Sequence, residues 1–370
     1  MGRARIRGRR RAAAVLLGAL ALGAFALGVA LGDGPAQRPT AASRLALRQL
    51  AGQRIVAGFA GADVPDRVRE MVREGRIAGV ILFAGNLPSR EAGQQLVARL
   101  QRIPRPPHLR DPLLVMVDQE GGLVKRLSGA PTASAEQMGR RGSEFSRDQG
   151  RLTARNLRNI GINVNLAPVL DVGRPGGVIA ETHRSFGATA RRVEETAVAF
   201  AAAMQARGVA ATGKHFPGLG AARENTDFAV QRIRLSRRTL RRVDEAPYGR
   251  FIAVGGDLVM ISSAVYPALS DKPASLSRPV AVRELRTRLG FNGVSITDAL
   301  GGAAIRAVGG PARAGLAAAK AGTDLLLFSD YRDGVEAYRA LLRKLRSGDI
   351  DRGRFERSVQ RVLSLRHRLG

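Results

Sequence analysis

Short apolar runs alternate with longer amphipathic stretches along most of the chain. Ile55 to Ala60, Gly79 to Phe83, Leu113 to Val117, Asn163 to Val172, Gly208 to Thr212, Leu258 to Ser262, Val294 to Thr297 and Asp324 to Phe328 read as eight strands. Most are too apolar to leave one face in water, which argues for a parallel sheet buried under helices. Between them the period changes to that of a helix, at Leu45 to Gln53, Pro65 to Glu74, Ser89 to Gln101, Arg191 to Arg207, Ser236 to Val254, Arg278 to Leu289 and Pro311 to Ala321. Ser89 is placed to cap its helix. Val335 to Arg346 and Phe355 to Leu365 predict two closing helices and leave little room for a second domain. Eight such units in roughly 300 residues predict an α/β fold closed as a TIM-type (β/α)8 barrel over residues 45–370. An open doubly wound sheet is the alternative. It lacks support, because no strand runs into a dinucleotide glycine fingerprint or a P-loop.

The N-terminus departs from this pattern. Six arginines among residues 1 to 11 precede an uncharged run, Ala12 to Gly32, rich in Ala, Leu and Gly. The run is long enough to span a bilayer, and the arginines favour a cytoplasmic N-terminus. Residues 1–32 are thus expected to be a signal-anchor helix or a signal peptide cleaved near Gly34-Pro35-Ala36, with residues 33–44 as a linker and the body outside the cell membrane.

Composition changes the picture little. The formal charge of +29 raises the question of nucleic acid, but the arginines are spread along helical stretches, zinc-finger and zipper spacings are missing, and there is no tryptophan. Most of them read as solvated helix faces; a role in holding the protein near anionic wall polymers is compatible with the charge. The chain has no cysteine, which removes disulfides, thiolate catalysis and Cys-ligated metal.

A barrel collects its chemistry at the C-terminal ends of its strands. There the sequence carries Asp118-Gln119-Glu120-Gly121-Gly122, Asp171, Lys214-His215, Ser262-Ser263, Asp298 and Asp330. The stretch Gly213-Lys214-His215-Phe216-Pro217-Gly218-Leu219-Gly220 holds a basic pair at a strand's end beside a turn shaped by proline and glycines. No HExxH or nucleophile-elbow serine occurs, and four scattered histidines make no metal cluster. Hydrolysis of a glycoside without cofactor needs one carboxylate nucleophile and a second proton-carrying group. Asp298 is the candidate nucleophile, with Asp118, Arg184, Lys214 and His215 as binding groups.

These motifs resemble family 3 glycoside hydrolases, in particular the single-domain bacterial β-N-acetylhexosaminidases. The resemblance runs over residues 50–345 and rests on Val117 to Gly122, Asn165 to Val172, Arg184-Ser185-Phe186-Gly187, Gly213 to Gly220, Tyr266 to Leu269 with Pro273-Ala274-Ser275, and Gly293 to Ala299. It implies a retaining hydrolase, expected to be a cofactor-free monomer that binds no nucleic acid. Asp298 would form the covalent intermediate, and Asp118, Arg126, Asp171, Arg184, Lys214, His215, Asn225 and Ser263 would surround the sugar.

The resemblance breaks at the acid/base. The family's second histidine in the glycine turn is Leu219 here, and its Asp-Ser-His triplet reads Asn225-Thr226-Asp227. Ser263 stands where a histidine usually follows strand six. Asp227 or Glu224 is therefore expected to protonate the leaving group as a carboxylic acid. The alternatives are a membrane-tethered protein that binds carbohydrate without cutting it, or a plain β-glucosidase. The expected substrates are wall fragments or chitin-type sugars with terminal β-linked N-acetylhexosamine.

Overall fold

The computed structural model describes residues 40–370. The expected signal or anchor segment, residues 1–32, lies outside the described residues, as does most of the expected linker. Among the described residues no helix is long and apolar enough to cross a membrane.

Eight parallel strands form the barrel: β1 Ile55–Ala57, β2 Gly79–Leu82, β3 Leu114–Val117, β4 Val164–Asn165, β5 Ala210–Phe216, β6 Leu258–Ile261, β7 Val294–Thr297 and β8 Leu326–Phe328. Their order is β7-β6-β5-β4-β3-β2-β1-β8. A parallel bridge between Ile296 and Leu325 draws β7 and β8 together, helped by the Leu300 N–H donating to the Leu327 carbonyl at 2.9 Å. Alternation along the strands divides the apolar residues into two layers. Val56, Leu114, Met116, Val164, Ala210, Leu258, Met260, Val294, Ile296 and Leu327 fill the barrel interior. Ile55, Val80, Leu82, Val115, Val117, Val259, Ile261 and Phe328 face the helices outside.

The expected helices are present, Ser89 accepting from the Ala92 N–H as the cap of Arg90–Arg102. Three differences have physical causes. Strand four is two residues long, since the chain beyond Asn165 leaves the ladder and keeps one bridge, Val169 to Lys214. Strand five runs on to Phe216, so Lys214 and His215 stand within it rather than past its end. The stretch read as one helix from Ser236 breaks into a short turn, a π-helical segment Leu240–Asp244 and a helix Ala246–Ala253, with Pro247 early in the last.

The expected linker also ends early. Ala42–Arg44 forms a 3-10 turn, Ala42 is fully buried, and its N–H donates to Gln360 Oε1 at 3.1 Å.

The bottom of the barrel is closed by the last helix, Arg352–Arg368, whose Val362 and Leu365 join the interior layer. Not every arginine lies on a solvated face. Arg366 is buried and donates to the carbonyls of Leu109, Asp111 and Pro112. Arg54 is buried and donates to the carbonyls of Thr323 and Asp324. Burial pulls the pKa of each down to about 10. Asp324, wholly buried just before β8, is ion-paired with Arg286 and with Arg361 (2.7 Å) and accepts from the Ser295 N–H at 2.9 Å. With one end filled by this helix and its ion pairs, the opposite mouth is left for a site.

Candidate active site

At that mouth lies a cavity of about 400 Å³, floored by Ile81, Leu166, Met260 and Leu327 from the barrel interior. Its wall brings together Asp118, Arg126, Arg184, Lys214, His215, Asn225, Asp227 and Asp298, residues drawn from strands and loops distant in sequence.

The cationic side is built on β3 and β5. Lys214 Nζ lies 2.6 Å from Asp118 Oδ1 and 2.6 Å from Glu120 Oε1. Arg184 grips Glu120 with two parallel bonds, Nε to Oε2 and Nη2 to Oε1, both 2.8 Å. Burial alone would raise the Glu120 pKa; the charges of Arg184 and Lys214 outweigh it and hold the carboxyl far below the usual range. Burial would lower Lys214, but Asp118 and Glu120 turn the shift upward, so the ammonium stays charged. Lys214 and Arg184 thus spend their charge on Asp118 and Glu120, not on Asp298. Arg126 makes no ion pair among the described residues, and its Nε is buried without a partner.

Glu120 is a wall residue that sequence reasoning passed over. The signal was alternation: Asp118 and Glu120 are two apart in an extended segment, so they face the same way. Gln119 between them turns inward, donating to the carbonyls of Leu127 and Ala130 and accepting from the Leu127 N–H at 3.0 Å. These bonds fix the hairpin of Gln119–Gly121 and Val124–Lys125 that carries Arg126.

Asp171, expected among the sugar-binding groups, lies behind the wall instead. It is fully buried, and its Oδ1 accepts from the backbone N–H of His215 (3.0 Å) and Leu219 (2.7 Å). Its Oδ2 is 2.7 Å from His215 Nδ1. A carboxylate only accepts, so Nδ1 carries the hydrogen and Nε2 is the ring atom left for other partners. Asp171 therefore positions His215 and the turn after it.

That turn needs its glycines. Gly218 has φ 137, and a Cβ on Gly220 would meet the Val172 carbonyl oxygen at 1.9 Å. The Tyr266 hydroxyl donates to the Gly218 carbonyl at 3.0 Å, giving the Tyr266-Pro267 motif a bracing role. Leu219 faces the cavity as part of its wall.

The carboxylate side is built by Asp298, just past β7, and the loop that carries Asp227. Asp298 Oδ1 accepts from the Ala299 N–H at 2.8 Å, and Oδ2 accepts from the Thr226 hydroxyl at 3.3 Å. Thr226, also unforeseen, ties the loop to the nucleophile candidate. The loop is pinned further along: the Asp227 carbonyl accepts from the Ala303 N–H at 3.0 Å. Asn225 accepts from the Asp227 N–H at 3.0 Å and reaches Asp227 Oδ2 with its amide at 3.4 Å. Asp227 stands at the rim with one flank in water. Even so, partial burial and then the neighbouring Asp298 charge raise its pKa, so it keeps its proton longer than an ordinary aspartate.

Two further expected site residues are, like Asp171, off the cavity wall. Glu224 is exposed and outside the cavity wall, because the chain at Arg223 and Glu224 turns outward to pair its N–H groups with Gln231. Ser263 is buried but also absent from the wall, its hydroxyl without a partner. Asp330, at the end of β8, lines the cavity and also caps the helix Tyr331–Arg346 through the Arg332 N–H. Among the described residues no group of three or more His, Asp or Glu is arranged to hold a metal ion.

A parallel barrel whose open mouth sets two aspartates, Asp227 and Asp298, beside a cluster of charged polar side chains has the parts that a glycosidase needs. Comparison with known proteins narrows the class. The profile for the glycosyl hydrolase family 3 N terminal domain matches residues 45–365. An uncharacterized secreted glycosyl hydrolase of Arthroderma benhamiae is 39% identical over 329 residues, covering 86% of this chain and 93% of that protein. A beta-hexosaminidase of Xylella fastidiosa is 34% identical over 285 residues, covering 74% and 82%. Among solved structures, a glycoside hydrolase family 3 beta-N-acetylglucosaminidase from Paenibacillus superposes with a TM-score of 0.84 at 37% identity, over 88% of this chain and 63% of that one. The chain belongs to glycosyl hydrolase family 3. It is a β-N-acetylhexosaminidase-like glycosidase.

Proposed function

We propose that this chain is a retaining exo-glycosidase that releases terminal β-linked N-acetylhexosamine, with Asp298 as nucleophile and Asp227 as acid/base. The observation that carries the reading is the pair itself: Asp227 and Asp298 line one cavity, and burial together with the Asp298 charge raises the Asp227 pKa.

In the first step Asp298 attacks the anomeric carbon while Asp227 gives its proton to the leaving oxygen, and the glycosidic bond breaks as the Asp298 ester forms. In the second, Asp227, now ionised, takes a proton from water, and the water oxygen replaces Asp298. Asn225 positions Asp227 for both steps through its two bonds. Asp118, Arg126, Arg184, Lys214 and His215 hold the hydroxyls of the sugar ring, Glu120 keeping Lys214 and Arg184 in place. The N-acetyl preference is supported by the beta-hexosaminidase and beta-N-acetylglucosaminidase relatives. Action outside the cell membrane is supported by the secreted relative and by the N-terminal sequence.

The test is trapping. A 2-deoxy-2-fluoro or 5-fluoro β-glycoside is incubated with the full chain and the digest read by mass spectrometry. The sugar is expected on the peptide holding Asp298; label on another carboxylate overturns the assignment. Because the family histidine is replaced, sugar affinity with no turnover on any β-glycoside would instead establish a binding protein.

A further inference from the structure

Four large apolar side chains stand out as open to water among the described residues: Leu123 at 73%, Leu152 at 37%, Phe228 at 80% and Val230 at 50%. Scattered singly, such residues need no explanation. Two of the four, Leu123 and Phe228, are chain neighbours of residues that line the same cavity, Val124 and Asp227. Leu123 is the tip of the hairpin Gln119–Gly121 and Val124–Lys125, and its neighbour Val124 lines the cavity. Phe228 follows Asp227 directly on the other wall loop, with Val230 two residues further on.

The Phe228 segment is held. Its N–H donates to the Asn225 carbonyl at 3.0 Å, the Ala229 N–H donates to the same carbonyl at 3.1 Å, and the Asp227 carbonyl is pinned by Ala303. The ring is therefore carried on a fixed turn, one residue beyond the proton donor. A glycosidic oxygen protonated by Asp227 must lie within about 3 Å of that carboxyl. Phe228, the next residue in the chain and open to water, is the exposed apolar group nearest in sequence to that carboxyl. Asp118, Arg126, Arg184, Lys214 and His215 line the cavity, whereas Phe228 stands outside its lining, so the charged groups suit the ring that stays and Phe228 the one that leaves.

The geometry points to Phe228, assisted by Leu123, as the platform for the leaving unit of the substrate: the apolar face of a β-linked pyranose packs on the ring while its hydroxyls remain in water. A pyranose presents axial C–H bonds on one face, which suits an exposed aromatic surface. This rests on the reading of Asp227 as the proton donor.

The experiment compares two substrates on the full chain: a β-1,4-linked N-acetylglucosamine disaccharide, whose leaving group is a sugar, and N-acetyl-β-glucosaminyl fluoride, whose leaving group has no ring. Phe228→Ala is expected to lower kcat/KM on the disaccharide about tenfold, mainly through KM. On the fluoride it changes kcat/KM less than twofold. Phe228→Trp, which keeps an aromatic surface, is expected to retain the disaccharide rate. Equal losses on both substrates, or no loss on the disaccharide, overturn the proposal. If the wild type cleaves the fluoride and not the disaccharide, the platform is wrong while the nucleophile stands; if it cleaves neither, the hydrolytic reading falls and this one with it.

Discussion

Replacing Asp227 by Asn keeps the shape of the side chain and removes its proton. General-acid assistance is worth about 10²- to 10⁴-fold in rate, or ~3–5 kcal/mol of barrier. Here the lower half of that range is expected, ~10²–10³, because Asp227 stands at the rim and water on its open flank screens it from Asp298. The loss depends on the leaving group. A nitrophenolate departs without a proton, so formation of the Asp298 ester is expected to change little, whereas an alkyl or sugar aglycone suffers the full loss. The pH profile gives a second readout. Burial and Asp298 raise the Asp227 pKa, so the acid form persists above the usual carboxylate range, and the alkaline limb of kcat/KM for a disaccharide falls as that proton is lost. In Asp227→Asn the limb is expected to disappear. The reasoning fails if the variant retains the limb, or loses the same factor on good and poor leaving groups alike.

Two other perturbations test the surrounding structure. Glu120→Gln removes the carboxylate shared by Lys214 and Arg184 and is expected to destabilise the fold by ~3 kcal/mol in urea denaturation. That is the low end for a broken buried pair, since Asp118 still meets Lys214. Asp324→Ala strips Arg286, Arg361 and the Ser295 N–H of their acceptor, with a loss of ~3–5 kcal/mol near neutral pH. Burial would raise the Asp324 pKa, but Arg286 and Arg361 outweigh it and hold it below its ordinary value. Its stabilisation is therefore present above the unfolded pKa of about 3.9 and disappears as pH falls through the lower folded value. The gap between wild type and variant in a denaturation series should close at strongly acid pH; a constant gap would contradict the ion-pair account.

The barrel was legible because its strands are short apolar runs set between helical periods, and both signals are local. The site was legible where a residue's place in the cavity wall follows from its position just past a strand's C-terminal end, as for Asp298 and Asp330. It was obscure where a role depends on partners far along the chain. Asp171 looks like a wall acid in sequence, yet the N–H groups of His215 and Leu219, 44 and 48 positions on, bind it inward. Glu120 looks like a neighbour of Asp118, and becomes a keystone only when Arg184 and Lys214 arrive from other segments. Arg54 and Arg366 read as surface charges because the carbonyls that receive them lie more than 250 positions away.

That last separation bears on synthesis. Strand β1 finds one of its two neighbours only when β8 exists, and Arg54 meets the Asp324 carbonyl across 270 positions. Until the final helix has left the ribosome, the early strands have an unfinished edge and an unsealed floor. Assembly of such distant pairings is slow, so the nascent polypeptide spends an extended interval open to chaperones and to proteases before it acquires the stability of the finished enzyme.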